Sequence, residues 1–238
     1  MKILIVNDDG VRAKGIVTLA RLATEFGEVT VVAPSSQCSA MSHRISVHNK
    51  IKISKVDFPV EGVPAYSVDG TPADCVKVAL EIILKEKPDI VFSGINHGYN
   101  SGFDIVYSGT VGAAMDALQY GIPAIAYSAK MGEDFSTAER FFSMVTRGIL
   151  EQEPTFSEVW NVNFPGCGPD EVKGILWDRV PARTEYYLDH FEVEKIDEDT
   201  LLGDMVNIEY CPDAEEGTDI HALNHNCISI GKVRSFVL

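Results

Sequence analysis

Short apolar runs alternate with longer mixed stretches along the first 150 residues of the chain. Four of the runs are predominantly apolar, and the first is continuously so, which is typical of strands that are covered on both faces of a parallel sheet. They lie at residues 3–6, 29–33, 89–92 and 124–127. The stretches between them favour helices at residues 15–26, 72–84, 110–119 and 135–150. This alternation predicts βαβ units around a parallel sheet.

The pattern is less regular in three other places. Residues 45–48 and 51–53 alternate between apolar and polar, which predicts a half-exposed strand or hairpin. Residues 161–164 favour one more strand. Residues 183–210 favour an extended pair of strands, which is joined by the acidic stretch at residues 192–199.

The change in composition at residues 154–170 is the candidate domain boundary. It separates a core, residues 1–160, from a C-terminal extension, residues 161–238. The net charge of the 238 residues is −15, but residues 1–150 carry only −2 and residues 151–238 carry −13. Because the extension has few apolar residues of its own, we expect it to pack on the core and on a partner subunit as part of a single domain.

Charge and hydropathy exclude several classes of function. The negative charge would repel a nucleic-acid duplex or an anionic membrane surface, and no basic stripe offsets it. No apolar run approaches the ~20 residues that are needed to cross a bilayer, and the first strand meets Asp8 too early for a signal peptide. The five cysteines include no CxxC pair, so we expect reduced thiols and a cytoplasmic protein.

Acidic side chains follow the first predicted strand. In open α/β sheets, ligands bind outside the carboxyl ends of the strands. Asp8 and Asp9 are adjacent there, so their carboxylates point in different directions: one can bind a cation while the other supports it or is catalytic. Oxygen ligands without a Cys/His set favour Mg²⁺ or Mn²⁺. The alternative is an Asp-Asp-Gly turn that only ends the strand.

A second polar segment begins the helix that is predicted at residues 110–119. Ser108, Gly109 and Thr110 place hydroxyls beside free backbone N–H groups, an arrangement that suits a phosphate. The alternative is an ordinary N-cap at Ser108. Thr71 and Asp74 predict a capping box at another helix start. Neither GxGxxG nor GxxxxGK[ST] occurs, which argues against dinucleotide enzymes and P-loop NTPases.

Five motifs, taken together and in order, resemble those of the SurE family, the stationary-phase survival proteins. They are Asn7-Asp8-Asp9-Gly10, Ala33-Pro34 with Ser39-Ala40 and His43, Gly70-Thr71-Pro72-Ala73-Asp74-Cys75, Ser93-Gly94-Ile95-Asn96-His97-Gly98-Tyr99-Asn100, and Tyr107-Ser108-Gly109-Thr110-Val111-Gly112-Ala113-Ala114. The motifs lie within residues 1–128, with a looser match to about residue 230. The chain departs from the family pattern at Met41-Ser42, at Asp116 and after Lys232, where the usual Thr-Pro is missing.

The resemblance implies a fold and an activity. The fold is a Rossmann-like three-layer αβα core with a mostly parallel sheet, extended by a C-terminal β-hairpin arm that builds a homodimer or homotetramer. The activity is that of a divalent-metal-dependent phosphomonoesterase, with one Mg²⁺ or Mn²⁺ as cofactor. Its substrates are nucleoside 5′- and 3′-monophosphates and, in some members, short polyphosphate.

The resemblance also implies the residues of the site. The metal ligands that it implies are Asp8, Asp9, Ser39 and Asn96, and Asp8 or Asp9 takes part in proton transfer. The residues that it implies for phosphate binding are Asn96, Ser108, Gly109, Thr110 and, near the site, His43.

Two other classes of protein place acidic residues after a first strand. A phosphoacceptor receiver domain, a signalling module, would use Asp8 and Asp9 with Ser93 and Lys130, but no Asp ends its middle strand here and the chain is about twice the needed length. A haloacid-dehalogenase-like phosphatase needs Asp-x-Asp, whereas this chain has Asp8-Asp9-Gly10.

Overall fold

The computed structural model describes residues 1–132, 134–209 and 212–235. These residues form a nine-stranded sheet flanked by helices and a separate two-stranded sheet. The strands are β1 (Lys2–Val6), β2 (Glu28–Pro34), β3 (Ile53–Val56), β4 (Ala65–Val68), β5 (Ile90–His97), β6 (Ala124–Ala129), β7 (Glu158–Phe164), β8 (Gly174–Arg179), β9 (Tyr187–Lys195), β10 (Leu201–Glu209) and β11 (Cys227–Arg234). The helices are α1 (Lys14–Ala23), α2 (Pro72–Val78), which continues into a π-helical turn (Ala79–Ile83), α3 (Gly109–Gln119), α4 (Ser136–Leu150) and α5 (Asp219–Asn224).

The large sheet is mostly parallel and is built around β1. Its strand order is β3-β4-β2-β1-β5-β6-β7-β11-β8. Strand β1 pairs in parallel with β2 and β5, and the parallel pairing continues through β6 to β7. At the two sides, β3 is antiparallel to β4 and β11 is antiparallel to β7. The predicted parallel sheet is confirmed.

Successive residues of β1 point to opposite faces of the sheet and enter two hydrophobic cores. Ile3 and Ile5 pack with residues of α1 and α4, whereas Leu4 and Val6 pack with residues of α2 and α3. Each side chain is almost fully buried, and burying a side chain of this size contributes about 1.5–3 kcal/mol. Helices therefore cover both faces of the sheet, which confirms the predicted three-layer α/β fold.

The strand predicted at residues 45–48 is absent, so that prediction is wrong. The segment is a loop that α2 holds, because the Ser46 N–H donates to the Asp74 carboxylate at 3.0 Å. The strand predicted at residues 51–53 overlaps the observed strand β3 only at Ile53. The partner strand β4 was not predicted, since its four residues are too few to show a period.

The C-terminal residues contribute to both sheets. Strand β7 spans the boundary between residues 160 and 161, and β8 and β11 extend the same nine-stranded sheet. The predicted extended pair is confirmed as the antiparallel hairpin of β9 and β10, although β9 takes in part of the acidic stretch that was expected to join the strands. Tyr210, the last residue of that predicted pair, lies outside the described residues. Within the described ranges, no helix is both long enough and apolar enough to cross a bilayer.

Candidate active site

Asp8 lies at the carboxyl end of β1, against the start of α3. Its carboxylate is almost fully buried and accepts a hydrogen bond from the Thr110 hydroxyl at 2.6 Å and another from the Thr110 backbone N–H. Its carbonyl oxygen accepts the Cys38 N–H at 2.7 Å, which ties the loop after β2 to the same place. The structure therefore brings together two of the residues that the sequence predicts for the site, Asp8 and Thr110.

The two adjacent carboxylates are held at an electrostatic cost. Burial, followed by the negative charge of Asp9, raises the pKa of Asp8 to about 6, and the hydrogen bonds from Thr110 oppose this shift. Burial also raises the pKa of Asp9, which the His97 N–H, 3.1 Å from its carboxylate, and the Gln37 side chain oppose. A bound cation would reduce this cost, because it favours the ionised form of both groups.

The start of α3 approaches Asp8 closely because residue 109 is glycine. A Cβ atom at Gly109 would lie 2.9 Å from the Asp8 Cβ and 3.2 Å from the Pro72 Cγ. The Ser108 hydroxyl accepts the Val111 N–H at 3.0 Å, so the N-cap that the sequence offers as an alternative is present. In this structure the Ser108 hydroxyl caps the helix, and both donors of Thr110 serve Asp8.

Asn96 lies at the end of β5, on the strand next to β1. Its side-chain amide donates to the Gly98 carbonyl at 2.9 Å, which fixes the orientation of the amide. Because an amide group has separate donor and acceptor ends, the side-chain oxygen of Asn96 is not used by this bond. The residue after it, His97, contributes the backbone N–H that binds Asp9.

The loop at residues 35–46 carries Ser39 and His43, and both side chains are exposed. Backbone bonds hold the loop over the first turn of α3: the Ser42 N–H donates to the Tyr107 carbonyl at 2.9 Å. A Cβ atom at Gly112 would lie 2.5 Å from the Ser42 carbonyl oxygen. Although His43 is exposed overall, the part of its ring that faces the protein is shielded from water, which lowers its pKa, and the charge of Asp116 opposes this shift.

The predicted capping box of Thr71 and Asp74 is present at the start of α2, and it has a second role. The Thr71 hydroxyl also donates to the Arg44 carbonyl, and the Asp74 carboxylate accepts the Ser46 N–H. These two residues therefore anchor the loop that carries Ser39 and His43. Sequence reasoning missed this role, because the bonds join residues that lie almost thirty positions apart.

The donors at this edge of the sheet fit a hard divalent cation. Within the described residues, no group of three or more His, Cys, Asp and Glu side chains could hold a metal ion. A metal would therefore depend on the carboxylates of Asp8 and Asp9, completed by neutral oxygens such as those of Asn96 and Ser39. Mg²⁺ and Mn²⁺ accept such an oxygen set, whereas structural zinc sites use Cys and His.

An open pocket of about 220 Å³ lies beside Asp9. Asp9, Lys14, Gln37 and His97 are among its lining residues. The His97 ring is oriented by the Gly132 N–H, which donates to its Nε2 at 2.7 Å. Sequence reasoning did not assign Lys14 to the site, because it lies in a segment without a recognisable motif, and it gave Gln37 no role of its own within the loop after β2.

The rival receiver interpretation is not favoured by this arrangement. Ser93 is buried within β5, and the side chain of Lys130 packs against Gly166. Neither residue is among those that line the pocket beside Asp9.

Comparisons with known proteins agree with the motifs. A family model described as "Survival protein SurE" matches residues 3–186. The chain is 41% identical to the 5′-nucleotidase SurE of Carboxydothermus hydrogenoformans and 38% identical to that of Alkaliphilus metalliredigens, over 98% and 97% of this chain and 90% and 91% of the relatives. The crystal structure of the SurE protein from Aquifex aeolicus is similar with a TM-score of 0.81 at 34% identity, and the match covers 98% of this chain and 93% of that one.

We expect the ionisation of Asp8 to destabilise the metal-free protein. Folding raises the pKa of Asp8 from 3.8 to about 6, so the folded state loses stability as the pH rises through this window, by about 3 kcal/mol in total. Asp8→Asn cannot ionise and escapes this loss. Thermal melts in chelator should therefore show a larger Tm advantage of Asp8→Asn over the wild type at pH 8 than at pH 5. Asp57→Asn, in an exposed loop, is the control, and equal advantages at both pH values would contradict the prediction.

Proposed function

The chain belongs to the SurE family, and we propose that it is a divalent-metal-dependent 5′-nucleotidase that hydrolyses nucleoside monophosphates to nucleoside and phosphate. The observation that carries the proposal is a pair of adjacent carboxylates at the carboxyl end of β1: Asp8 is buried directly against the start of α3, and Asp9 is half-buried beside it. Phosphate esters are anionic, so a site with two carboxylates requires a cation before it can accept them.

Asp8, Asp9, Asn96 and Ser39 would hold the metal, which supplies Lewis-acid stabilisation of the phosphate oxygens when bound. Asp8 is oriented for this by Thr110. The start of α3 is the candidate phosphate site, because Gly109 lets the helix backbone lie directly against Asp8, next to the proposed metal. Asp9 is the better candidate for moving a proton, because it lines the open pocket while Asp8 is almost fully buried.

We extend the proposal to nucleoside 3′-monophosphates and short polyphosphates, which present the same terminal phosphate group. A substrate panel of 5′- and 3′-monophosphates and short polyphosphate, each assayed with Mg²⁺ and Mn²⁺, tests this range. The proposed location is the cytoplasm, in keeping with the four described cysteines, which are all free.

The proposed assembly is a homodimer or homotetramer that forms through the β9–β10 hairpin. The cross-strand register places Phe191 opposite Met205 and Glu192 opposite Asp204. Because side chains alternate between the faces of a strand, Phe191 and Met205 lie on the face opposite to Glu192 and Asp204. Phe191 and Met205 are 55% and 54% exposed, so this apolar pair is available to a second subunit.

Removing the metal should abolish turnover of nucleoside monophosphates, because the carboxylates alone repel the substrate. We expect a chelator to remove the activity and Mg²⁺ or Mn²⁺ to restore it. Asp9→Asn should lose activity by at least ~100-fold while keeping its Tm, because it removes a metal ligand and the proposed proton carrier. Asp57→Asn should retain wild-type kcat/KM. Full activity after exhaustive chelation would refute the metal dependence.

Substitution of two hydroxyls at the start of α3 should have different effects. Thr110→Val removes the hydrogen bond to Asp8 at similar volume, so kcat/KM should fall by ~10-fold or more, since ~1.4 kcal/mol is a factor of ten. Ser108→Ala removes the N-cap and should lower the unfolding free energy by ~1 kcal/mol. Steady-state kinetics and thermal melts measure both effects. Near-normal kcat/KM in both variants would leave the start of α3 with a purely structural role.

The hairpin should control the assembly of the protein. We expect sedimentation to show a dimer or tetramer at micromolar concentration, and Phe191→Asp to shift it towards monomer by placing a charge in the proposed contact. Glu192→Gln, on the opposite face of the hairpin, is the matched control and should leave the assembly intact. A wild-type monomer at micromolar concentration would contradict the proposed interface.

A further inference from the structure

The base of the β9–β10 hairpin contacts the turn that follows β5. Tyr187, the first residue of β9, accepts the Tyr99 N–H on its hydroxyl at 2.8 Å. A Cβ atom at Gly98 would lie 3.2 Å from the same hydroxyl oxygen. The Gly98 carbonyl in turn accepts the side-chain amide of Asn96 at 2.9 Å. Tyr187 is thus connected to the proposed metal ligand Asn96 through one short turn.

Both hydrogen bonds act on the same peptide group. The Gly98 carbonyl and the Tyr99 N–H belong to one planar unit and point in opposite directions, because the peptide bond is rigid. The Tyr187 hydroxyl therefore holds one side of this plane and Asn96 holds the other. Fixing the N–H also fixes the direction of the carbonyl, and hydrogen bonds in such a chain strengthen one another.

The peptide group needs this restraint because Gly98 precedes it. Gly98 has a φ of +128°, and because glycine has no Cβ atom it restricts the orientation of the following peptide plane less than other residues do. The ends of the turn are held elsewhere: the Gly98 N–H donates to the Ala129 carbonyl at 3.0 Å, and the Asn100 N–H donates to the Asn163 side chain at 3.0 Å. The Tyr187 hydroxyl restrains the plane between these points.

Tyr187 is itself positioned from the same region of the fold. The Asp104 carboxylate accepts the backbone N–H groups of Tyr186 and Tyr187 at 2.8 and 3.2 Å. The Phe103 N–H donates to the Thr184 carbonyl at 2.9 Å. These bonds join the start of the hairpin to the segment after β5, so the Tyr187 side chain has a defined place on the turn.

We propose that Tyr187 is a positioning residue for Asn96: its hydroxyl fixes the Gly98–Tyr99 peptide plane and thereby turns the side-chain oxygen of Asn96 towards the metal. This inference rests on the proposed metal-dependent function. Tyr187 does not touch the metal or the substrate in this role. Its effect should therefore appear in metal affinity and should depend on Asn96.

Mn²⁺ binding to the metal-free protein, measured by titration calorimetry, tests the inference. Tyr187→Phe removes only the hydroxyl and should weaken the Kd for Mn²⁺ by about tenfold, as expected for the loss of a group that orients a metal ligand. Tyr120→Phe is the matched control, because its hydroxyl accepts a bond from Lys77 beyond the far end of α3. It should leave the Kd unchanged.

A double-mutant cycle separates positioning from general destabilisation. In an Asn96→Ala background, Tyr187→Phe should change the Kd by less than twofold, because the residue through which it acts is gone. Asp104→Asn, which loosens the Tyr187 backbone but keeps its hydroxyl, should weaken Mn²⁺ binding in the same direction and with the same dependence on Asn96. Asp104→Asn therefore tests the positioning role of Tyr187 if Tyr187→Phe fails to fold.

The outcomes distinguish this inference from the proposed function. A wild-type protein that binds no Mn²⁺ would overturn the metal-dependent function. Wild-type Mn²⁺ binding that is unchanged in Tyr187→Phe would overturn the positioning role alone. An equal loss of affinity with and without Asn96 would also overturn it, because Tyr187 would then act independently of that ligand.

Discussion

The rest of the structure depends on holding Asp8 and Asp9 side by side at the end of a buried strand. Burial raises the pKa of both carboxylates, and the negative charge of Asp9 raises the pKa of Asp8 further. Few donors offset this cost within the protein: Thr110 serves Asp8, and the His97 N–H and the Gln37 side chain serve Asp9. The residual electrostatic cost is what makes this edge of the sheet suited to a cation, because a cation relieves a repulsion that the protein only partly neutralises.

The segments around this pair are held by side chains that bond to backbone groups far along the chain. Gly109 lets α3 approach Asp8, and Thr71 and Asp74 tie the loop after β2 to the start of α2. On the other side, Asp219 of α5 binds the Gly102 N–H and the Ala182 N–H, both at 2.9 Å. Residues that cap helices therefore also place the loops, and the acidic C-terminal region supports the site that the parallel core presents.

The sequence predicts the parts of the molecule that have a local pattern. The continuous apolar run of β1 indicates a strand buried on both faces, and the carboxyl ends of such strands meet, which correctly brings Asp8 and Thr110 to one place. The partner of the Thr110 hydroxyl could not be predicted, since an Asp carboxylate and a bound phosphate accept the same bond. The Tyr187 contact with Tyr99 also escapes a sequence argument, because it joins positions 88 residues apart and has no period. The short strand β4 and the half-buried edge strand β8 lack a clear alternation for a similar reason.

The hairpin combines a strongly acidic composition with exposed apolar side chains. Glu192 faces Asp204 directly across the two strands, and like charges in that position destabilise a strand pair. Two isolated strands are marginally stable even without such repulsion. The contact of Phe191 with Gly203 contributes some packing on the opposite face, but both strands leave most of that face in solvent. Covering Phe191 and Met205 would supply stability that the repulsion between Glu192 and Asp204 removes, and it would leave these two charges in water. The acidic composition of this region is thus compatible with a buried contact, because Glu192 and Asp204 lie on the face opposite to Phe191 and Met205.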